Sequence, residues 1–337
     1  AADVPDEGYS DGKLAALAVK TLEQFAGSGT PFFLAVGFFK PHLPFNAPKR
    51  YWDLHDPRKF DLPGEPERVK GAPDSAYHTH RELGGYAGMP KDERIDAAAT
   101  RTLRHGYYAC VSYTDAQVGR VLGALERLGL DRNTIVVLWG DHGYALGDAG
   151  RWCKGTNFDL DTRVPLFIRA PGMAQPGRAT DAITEYVDVY PTLADLAGLP
   201  APAGLSGRSL RRVLEDPMAR GREFALSQFS RPFSAVPESM GYSLRTETLR
   251  YTRWVRWPSR ETFAEELYDY SAPVSAVPRW TAFVERANLI DDAAYRTERA
   301  RLSAAMDDVL ANRSVVASER APGEGQGATK KKRKRSD

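Results

Sequence analysis

Thr134-Ile135-Val136-Val137-Leu138-Trp139-Gly140-Asp141-His142-Gly143, followed by Lys154, is the stretch on which the fold of this chain turns. Thr134 to Leu138 is a short β-branched and apolar run that reads as a buried strand. It ends in a carboxylate and an imidazole side by side. In an open α/β sheet, ligands bind at the C-terminal edge of the strands. Gly143 lets the backbone turn away at once and leaves that edge uncrowded. Asp141 and His142 can together address one cation or one transferring group. Taken alone, the dipeptide also fits an ordinary strand-to-loop turn.

A second apolar run, Pro31 to Gly37, leads in the same way into Lys40-Pro41-His42-Leu43-Pro44-Phe45. Pro41 and Pro44 remove backbone donors and fix φ, so His42 is expected in a stiff segment. Two strands that each deliver a His and a cationic neighbour point to one shared site.

The rest of the chain alternates helices and strands. Leu14 to Phe25 has helical spacing, and Asp92 to Leu128 reads as one long helix or two in succession. Val111, Val118, Val121, Leu122, Leu125 and Leu128 form its apolar stripe, and Gly129 ends it. Tyr107, Tyr108 and Tyr113 read as packing residues. Asn46 to Pro90 is rich in Pro, Gly and charge and reads as excursions over the active face. His78 and His80 lie there as exposed loop histidines. Pro165 to Ile168 is a further strand and Asp188 to Leu196 a helix. This alternation predicts an α/β fold with a mostly parallel sheet flanked by helices. From about Ala201 the pattern changes. Glu223 to Phe229, Gly241 to Thr246 and Leu249 to Val255 read as antiparallel strands, and Ala293 to Ala311 as a terminal helix.

Composition sets outer bounds. A chain of 337 residues with 42% hydrophobic content can build a sizeable core. It contains no apolar run of the ~18 residues that a membrane helix needs. Ala1 to Asp6 lacks the basic and apolar regions of a signal peptide, which fits an internal start point and leaves the compartment open. Two Cys are too few for a disulfide framework. Cys153 reads as a buried spectator thiol. The net charge of +2 hides a divided chain: Lys330 to Arg335 carries six positive charges, which leaves −4 elsewhere. The body therefore carries no general sign of nucleic-acid binding. The basic run reads as a solvated tail behind a disordered linker, with a nuclear-targeting or polyanion-binding patch as the alternative.

The runs PFFLAVGFFKPHLPF, YYACVSYTDAQVGRVL, TIVVLWGDHGYALGDAGRWCKGTNFD and VPLFIRAPG, in this order, resemble the sulfatases, and within them the iduronate-2-sulfatase group with its bacterial relatives. MGYSLRTETLRYTRWV resembles the C-terminal part of the same group. The likeness covers roughly residues 1 to 270. It implies the alkaline-phosphatase-like fold, a divalent cation (usually Ca2+) and hydrolysis of a sulfate ester. By domain, it implies that residues 1–200 are the C-terminal portion of a catalytic domain and 201–315 a smaller C-terminal α+β subdomain, with 316–337 as the basic tail.

The same resemblance implies roles for single residues. Asp141 and His142 match the second pair of metal ligands. Lys154 matches the lysine that contacts the sulfate and the nucleophile. His42 matches the histidine near the ester oxygen, a proton donor to the leaving group. Lys40 matches a cation that holds sulfate or a substrate carboxylate. The chemistry is reasonable, since sulfate spreads negative charge over several oxygens and an alkoxide leaving group needs a proton. The partner implied is a sulfated sugar of glycosaminoglycan type. Family members are often lysosomal, periplasmic or secreted.

The departures matter equally. The family's Cys/Ser-x-Pro-x-Arg stretch, whose Cys or Ser becomes formylglycine, is not encoded here; neither Cys110 nor Cys153 is followed by the required Pro and Arg. The family's Asp-Asp metal pair is absent too. In the family both precede the segment with which this chain begins. After Glu266-Leu267-Tyr268-Asp269 the usual Asp-Pro-containing run is degraded. Three readings follow: a sulfuric ester hydrolase in truncated form, a phosphate or phosphonate ester hydrolase of the same superfamily, or an inactive remnant acting as a binding protein. Little activity and weak cation binding are expected of this chain alone. The sugar, the position of its sulfate and the oligomeric state are not written in the sequence.

Overall fold

The computed structural model describes residues 1–60, 62, 68–78, 82–92, 94–232, 237–271 and 285–312. His80 and the basic run from Lys330 to Arg335 lie outside the described residues. Helix α1 spans Ser10–Ser28, the short α2 spans Lys49–Trp52, and the long α3 spans Ala97–Arg127. Asp96 caps α3 by accepting from Ala99 N at 2.7 Å. Gly29 and Gly129 follow α1 and α3 in left-handed conformation, with φ of 64° and 67°, where a Cβ would be strained.

The long helix buries only the C-terminal part of the predicted stripe: Leu125 is in the core, with Val121 and Leu128 packed against its cluster. Val111 and Leu122 are 45% and 36% exposed, whereas Ala109, Cys110, Tyr113, Gln117 and Ala124 are fully buried. The reason is polar as much as apolar. Tyr113 Oη accepts from Gly12 N at 2.6 Å and donates to Asp6 O at 3.0 Å, and Gln117 Nε2 donates to Asp6 Oδ2 at 3.0 Å. The N-terminal segment brings backbone groups that need partners, and α3 turns its bonding face toward them.

Strand β1 spans Val136–Trp139, β2 Ala145–Leu146, β3 Trp152–Cys153 and β4 Leu166–Arg169, with the one-turn α4, Asp159–Thr162, before β4. β1 pairs antiparallel with β4, Leu138 opposite Phe167, and β2 pairs antiparallel with β3. The expected parallel pairing is thus corrected: every strand ladder among the described residues is antiparallel. Parallel neighbours need a long crossover, usually a helix. The link from β1 to β4 instead holds the β2–β3 hairpin and a single helical turn. The apolar run 31–37 is also corrected, because it enters no ladder among the described residues. Its period-two pattern is real: Phe32 and Leu34 pack onto Leu22, Ala124 and Leu125, while Phe33 is 84% exposed.

Helices α5, Val189–Leu196, and α6, Arg211–Glu215, lead into a four-stranded antiparallel sheet. Its strands are β5, Ala225–Arg231, β6, Ser239–Arg245, β7, Leu249–Arg256, and β8, Thr262–Asp269, in that order. The last lies outside the strands that the sequence pattern predicts. Helix α7, Arg296–Asn312, lays Leu302, Met306 and Val309 on Tyr242, Leu244, Tyr251 and Val255. Their i, i+4, i+7 spacing makes one apolar stripe. No described helix is long and apolar enough to cross a membrane.

Candidate functional site

The segment that carries His42 is clamped from two helices. Asp11 of α1 is buried, and its carboxylate accepts from Phe39 N at 3.1 Å and Lys40 N at 2.8 Å. Thr114 of α3 donates to Lys40 O at 3.1 Å. Lys40 itself was expected to reach sulfate or a substrate carboxylate. Its ammonium is instead turned inward, donating to His42 O at 3.0 Å and Pro44 O at 2.6 Å, and it is only 7% exposed. Burial pushes its pKa below the usual lysine value, against the pull of Cys110 and Asp11. Pro41 and Pro44 have no N–H, so the turn cannot be held by their amides. Lys40 supplies the missing donor.

Lys154 sits at the end of the β2–β3 hairpin between two left-handed residues, Cys153 with φ 67° and Gly155 with φ 109°. A non-glycine residue there costs roughly 1–2 kcal/mol. Packing holds it: Cys153 is 1% exposed, and Tyr144 Oη donates to its sulfur at 3.1 Å. The loop beyond Lys154 closes around Asp161, which accepts from Thr156 N at 2.8 Å, Thr156 Oγ1 at 2.6 Å and Arg151 Nη1 at 3.2 Å. Asp161 and Arg151 form a buried pair, with side chains 0% and 2% exposed.

These two segments meet. Lys154 Nζ lies 3.2 Å from His42 Nε2. Glu82 joins them, 3.0 Å from His42 Nε2 and 2.7 Å from Lys154 Nζ. One apolar cluster positions all three, since Leu43, Leu83 and Cys153, each the next-door neighbour of a site residue, are buried together with Trp152. Burying each such side chain stabilises by roughly 1.5–3 kcal/mol, so the backbone beside every site residue is anchored. His42 Nδ1 lies 2.8 Å from Leu43 O. A carbonyl only accepts, so Nδ1 carries the proton and Nε2 is the nitrogen that faces the site.

Sequence reasoning did not find Glu82. Its only signal was membership of the 46–90 excursion, placed over the active face. His78, expected to be an exposed loop histidine, is half-buried with Nε2 3.1 Å from Trp152 O, and Trp152 stands two residues before Lys154 in sequence.

Asp141 and His142 follow β1, whose pairing runs on through Gly140 N to Pro165 O at 3.1 Å. The Asp141 side chain is 82% exposed and lies 3.4 Å from His142 Nε2. Asp141 Oδ1 accepts from His142 N at 2.9 Å, and His142 Nδ1 lies 2.8 Å from Gly143 O. That leaves Nε2 of His142 and Oδ2 of Asp141 as the outward-facing donors. Tyr144, two residues on, packs against the cluster that anchors His42 and Lys154. As a calcium site the donor set is short. Ca2+ takes six to eight oxygens, and no group of three His, Cys, Asp or Glu side chains assembles among the described residues. Cys110, fully buried with its pKa pushed up to about 12 by desolvation, is no nucleophile.

The model of the family described as "Sulfatase" matches residues 2–199. The chain belongs to the sulfatase family. A second model, described as "N-sulphoglucosamine sulphohydrolase, C-terminal", matches residues 147–309 of this sulfatase-family chain. It is 34% identical to iduronate 2-sulfatase of Mus musculus and to that of Homo sapiens, over 78% of this chain and 59% of each relative. It is 32% identical to a sulfatase of Formosa agariphila over 71% of this chain and 44% of that one. The chain thus spans well under two thirds of these relatives. Among solved structures, the phosphonate monoester hydrolase of Silicibacter pomeroyi superposes with a TM-score of 0.74 at 26% identity, covering 92% of this chain and 62% of that one. A protein solved with its substrate D-glucosamine-2-N,6-O-disulfate superposes with a TM-score of 0.69 at 21% identity, covering 88% and 69%. The alkaline-phosphatase-like α/β fold expected from the sequence is the fold of this chain, although its described ladders are antiparallel.

Proposed function

We propose that this chain carries the sulfate-orienting half of a sulfuric ester hydrolase of the iduronate-2-sulfatase kind, acting on a sulfated sugar of glycosaminoglycan type. The observation that carries this reading is the meeting of Lys154 and His42, 112 residues apart in sequence, at 3.2 Å. Lys154 offers a fixed cation to the sulfate oxygens. His42, with its Nε2 facing the site, offers a proton to the departing sugar oxygen. Lys40 is then a positioning residue that holds the His42 turn. Asp141 and His142 supply two donors toward a divalent cation, calcium by family resemblance. Two donors do not make a complete calcium site, so binding is expected to be weak. The Cys/Ser-x-Pro-x-Arg stretch does not occur in this sequence, and without a covalent nucleophile the acceleration is small.

The test compares this chain alone with the same chain joined to the nucleophile-bearing N-terminal segment of an iduronate 2-sulfatase. With 4-nitrophenyl sulfate and calcium, the chain alone is expected to show no turnover above background and the joined protein clear turnover. His42→Ala or Lys154→Ala should then lower kcat about a hundredfold, the scale of a lost general acid or charge-stabilising group. Full activity in Lys154→Ala sinks the assignment. The structural likeness to a phosphonate monoester hydrolase supports a second reading. A 4-nitrophenyl phosphonate ester turned over faster than the sulfate would favour it.

A further inference from the structure

We propose that Glu82 is an internal anion that occupies the sulfate position of this site and must swing out before a substrate can bind. The proposal rests on the reading of His42 and Lys154 as the sulfate-orienting pair. Its basis is the geometry of three side chains. Glu82 Oε1 is 3.0 Å from His42 Nε2 and 2.8 Å from Lys154 Nζ, and Oε2 is 2.7 Å from Lys154 Nζ. The carboxylate therefore bridges both groups. An ester sulfate that touches the same two groups has to put its own oxygens where Oε1 and Oε2 now stand. Both anions cannot be there together.

The carboxylate also copies what the substrate would do. Lys154 Nζ and His42 Nε2 stand 3.2 Å apart, close enough for one anion to touch both. A carboxylate between them meets both nitrogens at once, as two oxygens of a sulfate would. Glu82 plays this part in the free protein. The sulfate takes it over on binding.

Release needs no opening of the fold. The side chains of His42, Glu82 and Lys154 are 32%, 23% and 21% exposed, so solvent already reaches all three. The backbone after Glu82 is fixed: Leu83 is buried, and a β-carbon on Gly84 would lie 3.1 Å from the carbonyl oxygens of Pro90 and Lys91. Lys91 Nζ also donates to Gly84 O at 2.6 Å. The motion is therefore a rotation of the Glu82 side chain about its own bonds. A ligand must replace a charged partner of Lys154, which disfavours neutral esters and favours ligands that carry full negative charge.

The experiment titrates inorganic sulfate calorimetrically into the full chain as wild type, Glu82→Gln, Glu82→Ala and Lys154→Ala. Melting curves by circular dichroism confirm that each is folded. Glu82→Ala is expected to bind sulfate at least about tenfold more tightly than wild type, with Glu82→Gln between them and Lys154→Ala weakest. If Lys154→Ala weakens sulfate binding but Glu82→Ala does not strengthen it, the internal-anion proposal is overturned and the sulfate site stands. If Lys154→Ala leaves sulfate binding unchanged, the site reading fails and the proposal with it. A folded Glu82→Ala that binds sulfate more weakly would make Glu82 a strut for Lys154, which also overturns it.

Discussion

A β-carbon added at Gly143 would lie 1.8 Å from the carbonyl oxygen of Leu160 and 2.8 Å from its carbon. Gly143 N donates to Asp161 O at 2.9 Å, so the two backbones run in contact there. The glycine after Asp141-His142 is needed for this close approach, where the sequence had suggested a sharp turn. Gly143→Ala must push the 158–162 segment away, and overpacking of this kind costs about 1–3 kcal/mol. The expected result is a lower urea midpoint with an unchanged slope; an unchanged midpoint would show that the loop moves freely. Lys40 teaches a similar lesson at single-residue scale. The family resemblance implied an anion contact for it, but its 7% exposure and its carbonyl partners make it an internal brace. Charge is visible in a sequence, whereas the direction in which a flexible side chain points is not.

The loop between β3 and β4 is the element that presents Lys154. Its closure rests on the Arg151–Asp161 pair, with Thr156 bonded to both partners. Asp161→Ala would remove the carboxylate that lies 3.2 Å from the Arg151 guanidinium. Breaking one side of a buried pair typically costs about 3–5 kcal/mol. The variant is expected to lose about that much in a denaturant titration. A loss under ~1 kcal/mol would mean that water replaces the carboxylate without penalty. Element boundaries were largely readable. The predicted strand Thr134 to Leu138 is observed as Val136–Trp139, and the predicted helix Asp188 to Leu196 as Val189–Leu196. Strand pairing was not readable, because the apolar pattern of Pro31 to Gly37 reports a buried edge without naming a partner.

Across the whole molecule, the Lys154 loop is tied to the four-stranded sheet by a buried charged network. Asp159 of α4 accepts from Arg250 Nη2 of β7 at 2.8 Å and from Arg245 Nε of β6 at 3.1 Å. Glu285 accepts from Asp159 N at 3.0 Å and lies 3.1 Å from Arg250 Nε. Burial raises the Glu285 carboxyl from its ordinary 4.5 to about 7, against the attraction of Arg250. The folded molecule therefore keeps a proton that the unfolded chain releases. This stabilising contribution is fully present below pH 4.5 and is lost as pH rises through 7. It amounts to about 3 kcal/mol at most. Glu285→Gln keeps the shape and removes the titration. Thermal melts from pH 4.5 to 7.5 are expected to show wild-type stability falling relative to the variant as pH rises. Parallel profiles for the two proteins would refute the assignment.

The sequence by itself determined the family, the α/β class and most element positions, and it named His42 and Lys154 as candidates. Those signals are local: apolar period, Pro and Gly placement, and short runs of chemistry-bearing residues at strand ends. It did not disclose Glu82, because an isolated carboxylate in a Pro- and Gly-rich segment looks like any solvated charge. Only the tertiary structure packs Leu43, Leu83 and Cys153 into one cluster, and that packing places a histidine, a glutamate and a lysine from three distant segments within bonding distance. The antiparallel pairing of β1 with β4, the buried face of α3 and the inward turn of Lys40 were decided in the same way. Each depends on which surface another part of the chain covers, and a linear pattern does not carry that.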